Sequence, residues 1–225
     1  MGEDLAFETG KEVVIDSPNF VIFIQGAWAA WNNPNNAAAS QAITKDGIAS
    51  VLLYDSYRDW GTTQKPDVTD EQWKSAFDGK NYRDELREFR AKIDYVMKTY
   101  HPKNLFISGN SYGGGLAALV AGDVPELQRV LLFSPQIVCP DSLQGVNIYR
   151  EFPSLEEFSE AISRFKGELT IVRGNKDSIV QMEQPARLYD AAESTKFKRF
   201  VLLPADHSFS NAELYTNEHV MAFRS

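Results

Sequence analysis

The chain has 225 residues, 43% hydrophobic and 24% charged, enough for one α/β domain with its own core and too few for a second catalytic domain. A formal net charge of -8, with no run of clustered Lys and Arg, argues against a nucleic-acid partner. The single cysteine, Cys139, excludes an intrachain disulfide, and no window approaches the roughly 18 apolar residues of a membrane helix; a soluble, cytoplasmic protein without a membrane span is expected.

Short β-prone runs at residues 5–7 and 12–15 flank Glu8-Thr9-Gly10-Lys11, which has the composition of a hairpin turn, so the chain is expected to open antiparallel. Continuous apolar runs follow at residues 20–24, 50–54, 105–107, 130–133, 169–172 and 200–203. A strand that is apolar at every position is covered on both faces, as in a parallel sheet between two layers of helices. Helices are predicted between these strands over residues 35–48, 82–100, 112–121, 155–165 and 184–192. The second is the clearest: Tyr82, Leu86, Phe89, Ile93, Val96, Met97 and Tyr100 fall on one face, and Pro102 stops it. The alternation predicts an α/β fold, a doubly wound and mostly parallel sheet with helices on both faces, in one domain over residues 1–225. Two connections are longer than such a unit needs. Residues 55–81, with Tyr57, Trp60, Trp73 and Phe77, and residues 134–154 are read as site walls or a small cap, the alternative being that their aromatic side chains pack the loops down.

The apolar run at 105–107 leads directly into Gly109-Asn110-Ser111-Tyr112-Gly113 and then a helix of small residues. A sharp strand-to-helix turn needs little bulk on either side of its apex, and Gly109 and Gly113 supply that room. The turn would lift the Ser111 hydroxyl clear of the backbone at a helix N-terminus. The plainer alternative is a glycine-rich turn with an N-capping serine.

A serine hydroxyl becomes a nucleophile only beside a base, and the base needs a third group to hold its tautomer. Of three histidines, His101 stands where a helix ends, the place of a dipole-compensating side chain, and His219 stands in a polar stretch near the end. His207 follows the last apolar strand after Pro204-Ala205-Asp206, at the same carboxyl edge of the sheet as Ser111, so it is the candidate base. Asp177 follows residues 169–172 at that edge and is the candidate acid, with Asp141 as its rival and a turn-stabilising role as the alternative; Asp206 is too near His207 in sequence. Oxyanion donors are sought in the backbone N–H groups of Tyr112, directly after the nucleophile, and Ala27, in Gln25-Gly26-Ala27-Trp28 after the first parallel strand. Gln25, Trp28 and Trp31 are candidates for lining the substrate pocket, and burial of both tryptophans against the core is the competing reading.

Ser111, Asp177 and His207, in the order Ser, Asp, His, resemble the triad of an α/β-hydrolase, and the resemblance covers essentially the whole chain. It implies an eight-stranded sheet, Ser111 as nucleophile, His207 as base, Asp177 as its orienting acid, and Ala27 and Tyr112 as oxyanion donors. One departure is Gln25-Gly26, where the family often has His-Gly. The resemblance further implies hydrolysis of a carboxylic ester through an acyl-enzyme, on a small-molecule acyl substrate, with no metal or cofactor. The same groups would serve a peptidase or a thioesterase. A non-catalytic protein holding a small ligand on the same scaffold is the reading from another class.

Overall fold

A computed structural model of the protein describes residues 10–27, 33–54 and 79–224. Among the described residues the strands are β1 (Gly10–Val13), β2 (Asn19–Ile24), β3 (Ser50–Tyr54), β4 (Asn104–Asn110), β5 (Leu127–Phe133), β6 (Glu168–Gly174) and β7 (Phe197–Leu203). The helices are α1 (Pro34–Lys45), α2 (Tyr82–Tyr100), α3 (Tyr112–Ala121), α4 (Leu155–Ser163), α5 (Glu183–Ala191) and α6 (Ala212–Phe223). The strands form one sheet in the order β1-β3-β2-β4-β5-β6-β7. β1 is antiparallel to β3 and every other neighbouring pair is parallel.

Five of the six apolar runs behave as expected of strands buried on both faces; the run at residues 200–203 does not, because β7 is the edge of the described sheet, where Leu202 is 55% exposed and only Leu203 is buried. In β2, Phe20, Ile22 and Ile24 enter one apolar cluster, whereas Val21 and Phe23 enter the other. Side chains of a strand alternate between faces, so an unbroken apolar run fills two cores at once. One core is closed by α2, α3, α4 and Leu188 of α5, and the opposite one by α1 and α6. Strand ends extend past the apolar runs into Asn104, Glu168 and Phe197-Lys198-Arg199, because ladder pairing uses the backbone and tolerates polar side chains at a margin.

Seven strands of the implied sheet stand among the described residues, and the expected run at residues 5–7 lies outside them. Two other expectations change. Gly10 and Lys11, read as turn residues, stand in β1 opposite Tyr54 and Leu53. A Cβ at Gly10 would lie 2.4 Å from the Leu53 carbonyl oxygen, so the glycine there serves close strand approach. His219 is not in a polar tail; it lies within α6, fully buried.

The order of winding also positions a crevice. From β2 the chain passes to β3 on one side and then returns to β4 on the other. Crossovers therefore diverge above the carboxyl ends of β2 and β4, where doubly wound sheets leave room for a ligand.

His219 ties α6 to that same region from behind. Its ring stacks on Phe23 and Phe133, Nδ1 donates to the Tyr215 carbonyl at 2.8 Å, and Nε2 accepts from the Ser108 hydroxyl at 2.7 Å. Burial pushes its pKa down to about 3, against the upward pull of the Tyr215 carbonyl. Between pH 6.5 and about 3 the unfolded chain therefore binds a proton that the folded protein refuses, and stability falls as pH falls. His219→Phe keeps the ring stack and removes that proton site. Over pH 6 to 4 the wild type is expected to lose roughly 1.4 kcal/mol per pH unit more than the variant in denaturant unfolding; parallel curves for the two proteins would refute a neutral, buried His219.

Candidate active site

Ser111 stands between the last residue of β4 and the first of α3 with φ 52° and ψ -117°. A non-glycine residue in such a conformation costs about 1–3 kcal/mol and persists only where its surroundings over-determine it. Here they do. Ser111 N–H donates to the Phe133 carbonyl at 2.8 Å, and the Ser111 carbonyl accepts from Gln136 N–H at 2.9 Å and Gly115 N–H at 3.1 Å. The end of β5 and the loop after it thus clamp both backbone groups of the serine.

The flanking glycines meet the steric requirement read from the sequence. A Cβ at Gly113 would fall 2.4 Å from the Gln25 carbonyl oxygen and 2.5 Å from that of Ile24; one at Gly109 would fall 2.7 Å from the Gly113 carbonyl oxygen. Backbone at these distances cannot yield to a side chain.

The His207 ring lies between the other two expected residues. Its Nε2 is 3.0 Å from Ser111 Oγ and its Nδ1 is 2.9 Å from Asp177 Oδ2. A carboxylate only accepts, so Nδ1 carries the proton and Nε2 presents its lone pair to the serine hydroxyl. The His207 side chain is 17% exposed and that of Asp177 is fully buried, so the candidate base is open to solvent and the candidate acid is not.

Asp177 divides its acceptors. Oδ1 accepts from the N–H groups of Ile179 at 2.9 Å and Val180 at 3.0 Å, which leaves Oδ2 for the histidine. Burial alone would raise its pKa. The bond to His207, the hydroxyl of the buried Ser134 and the Val180 N–H outweigh burial and bring it down to about 2. Ser134, with φ 41° and its N–H donating to the Val172 carbonyl at 2.8 Å, was not anticipated from the sequence. Neither was Arg173, buried beneath the Asp177 loop. The available signal was a polar residue at the carboxyl end of each of two apolar strands.

Gly26 passes beside the candidate nucleophile: a Cβ built there would be 3.4 Å from Ser111 Cβ and 4.0 Å from Ser111 Oγ. Ala27, next along, is buried, and Tyr112 opens α3, where the N–H groups of a first turn have no acceptor within their own helix. Gln25 is buried rather than open to solvent, and its Oε1 accepts from Asn36 Nδ2. Asn36 Oδ1 accepts in turn from the Tyr215 hydroxyl at 2.7 Å. A buried polar chain thus joins α6, α1 and the end of β2. Trp28 and Trp31 lie outside the described residues.

The rival candidates stand elsewhere. His101 caps α2 in a left-handed conformation, its N–H donating to the Met97 carbonyl at 3.2 Å. Asp141 is exposed and accepts from Gln144 Nε2 at 3.0 Å. Asp206 accepts from the Ser210 hydroxyl at 2.9 Å. Among the described residues no helix is long and apolar enough to cross a membrane.

Comparison with known proteins agrees with this architecture. No curated protein matches the chain. Among solved structures it is similar to the esterase domain of a Rhodothermus marinus protein, at 20% identity and a TM-score of 0.68 over 93% of this chain and 86% of that one. It is similar also to Est1E from Butyrivibrio proteoclasticus, solved with ferulic acid bound, at 16% identity and a TM-score of 0.69 over 93% of each chain. A dienelactone hydrolase from Anabaena variabilis matches at 17% identity and a TM-score of 0.62, over 96% of this chain and 100% of that one. At such identities these likenesses concern the fold, which is that of an α/β-hydrolase. The family model of the dienelactone hydrolases matches residues 12–222, nearly the whole chain, and the protein is a hydrolase that belongs to the dienelactone hydrolase family.

Proposed function

We propose that the protein hydrolyses carboxylic esters through an acyl-enzyme, with Ser111 as nucleophile, His207 as general base and acid, and Asp177 as the orienting carboxylate. The observation that carries this reading is the unbroken hydrogen-bonded chain from Ser111 Oγ through both nitrogens of His207 to Asp177. The esterase and dienelactone hydrolase names of the structures compared point to the same bond type.

Ser111 Oγ attacks the ester carbonyl carbon as its proton passes to His207 Nε2, and Asp177 stabilises the imidazolium without taking the proton. Negative charge gathers on the former carbonyl oxygen, beside the N–H groups assigned as donors, those of Ala27 and Tyr112. Removing one such donor typically costs roughly 3 to 4 kcal/mol of barrier. Collapse expels the alcohol, which receives the proton from His207. Water then attacks the acyl group with His207 again as base, releasing the acid and restoring Ser111. These steps draw on no metal or cofactor. A pKa near 2 keeps Asp177 ionised throughout, so it serves as an acceptor and fixed charge at every working pH.

Four experiments test the reading. Ser111→Ala is expected to abolish both turnover of p-nitrophenyl esters and covalent labelling by a fluorophosphonate, with the fold retained by circular dichroism; labelling of the folded variant would sink the assignment. An unlabelled, folded wild type would favour a ligand-binding role instead. Panels of esters, thioesters and aminoacyl amides decide among the acyl-transfer alternatives, esters being expected to react fastest. Asp177→Asn is expected to lower kcat by roughly three to four orders of magnitude, and Asp141→Asn to leave it near the wild-type value. Because Asp177 titrates at about 2, the acidic limb of the kcat/KM profile should lose a single proton above pH 4, with limiting slope one; a slope of two would place a second titrating group in the mechanism.

A further inference from the structure

Arg173 is the last side chain before the loop that carries Asp177, and it points back into the protein: the residue is only 7% exposed. Its guanidinium donates from Nη1 to the Gly174 carbonyl at 2.8 Å and from Nη2 to the carbonyls of Asp177 at 3.0 Å and Val180 at 3.1 Å. All three acceptors are backbone oxygens, at the last residue of β6 and in the loop that follows it. Burying a cation is expensive, and an arginine retained at such a site is held by its geometry as much as by its charge.

The same residues use their other backbone groups on the carboxylate. Val180 accepts from Arg173 through its carbonyl and donates to Asp177 Oδ1 through its N–H. Asp177 accepts from Arg173 through its own carbonyl while its side chain holds His207 Nδ1. This stretch of backbone therefore holds a guanidinium through its carbonyls and a carboxylate through its N–H groups. Its far wall is the histidine loop: Asn175 N–H donates to the Leu203 carbonyl at 2.8 Å and Lys176 N–H to that of Ala205 at 3.0 Å. A Cβ at Gly174 would come within 2.3 Å of the Ala205 carbonyl oxygen and 2.6 Å of that of Asp206, so the two loops touch backbone to backbone.

We propose that Arg173 is a positioning residue for the acid of the triad: by gathering the carbonyls of Gly174, Asp177 and Val180 onto one planar fork it sets the direction of the Asp177 carboxylate toward His207. The inference rests on the triad assignment above. A lysine at this place would supply a point charge on a flexible stem, without the fork that reaches three carbonyls at once.

A double-mutant cycle tests this. Arg173→Lys is expected to lower kcat for p-nitrophenyl acetate about tenfold, with KM changed less than about twofold, since a small misplacement of a catalytic group acts on the chemical step. Rates are taken per active site titrated with a fluorophosphonate, so loss of folded protein does not count as loss of catalysis. In an Asp177→Asn background the same substitution should have little further effect, because the group it positions is gone. Equal fold-losses in the two backgrounds, or an unchanged kcat in the single variant, would overturn the role. Where Arg173→Lys yields too little folded protein, Arg173→Gln is measured under the same two criteria. Failure of the triad reading looks different: Ser111→Ala would keep its turnover or Asp177→Asn would match the wild type, whatever Arg173 does.

Discussion

Helix α3 begins so close to strand β2 that no methyl group fits between them, and the site is organised by that contact. The carbonyls of Ile24 and Gln25 occupy the space a side chain at residue 113 would need. With the helix pressed against the neighbouring strand, the chain leaving β4 has one residue in which to reverse, and that residue takes the strained conformation seen at Ser111. Strain of this kind is sustained by neighbours. The end of β5 and Gln136 provide it, fixing the serine backbone on both sides. The same contact sets Gly26 beside the serine hydroxyl, so the positions of the proposed nucleophile and the proposed oxyanion donors follow from one steric fact.

The second ordering element is electrostatic. Two histidines sit in similar hydrogen-bonding patterns, each with Nδ1 bonded to an oxygen and Nε2 bonded to a serine hydroxyl. The difference lies in the Nδ1 partner. His219 faces the Tyr215 carbonyl, a dipole with no net charge, and burial holds its ring neutral down to about pH 3. His207 faces an ionised carboxylate and is partly open to solvent, so a positive charge forming on its ring has a counter-charge already in place. One arrangement serves packing and the other suits proton transfer.

Much of the fold was legible because the inner strands of the sheet are buried on both faces: every residue of a run such as 20–24 contributes to a core, and an unbroken apolar stretch is hard to mistake. Ser111, Asp177 and His207 were legible because each follows such a run at the carboxyl edge. What escaped notice did so for physical reasons. α6 was missed although Tyr215, His219 and Phe223 repeat every four residues, since a histidine and the glutamate beside it, Glu218, read as polar and yet are buried. Arg173 was missed because its partners are backbone carbonyls brought close only by folding. Gly10 was misread because a glycine admitting a tight turn and one admitting a close carbonyl look alike in a sequence.

The last helix has a further consequence, for the order in which the site comes into being. α6 reaches β4 through His219 and Ser108, and reaches the end of β2 through Tyr215, Asn36 and Gln25. Synthesis delivers the N-terminal part of a chain first. A nascent chain that has left the ribosome as far as α5 carries the serine turn and the Asp177 loop but neither the proposed base nor the helix that braces the sheet from behind. On the proposed mechanism its serine would have no partner to take its proton, so hydrolysis would begin only once His207 and the residues after it have joined the fold.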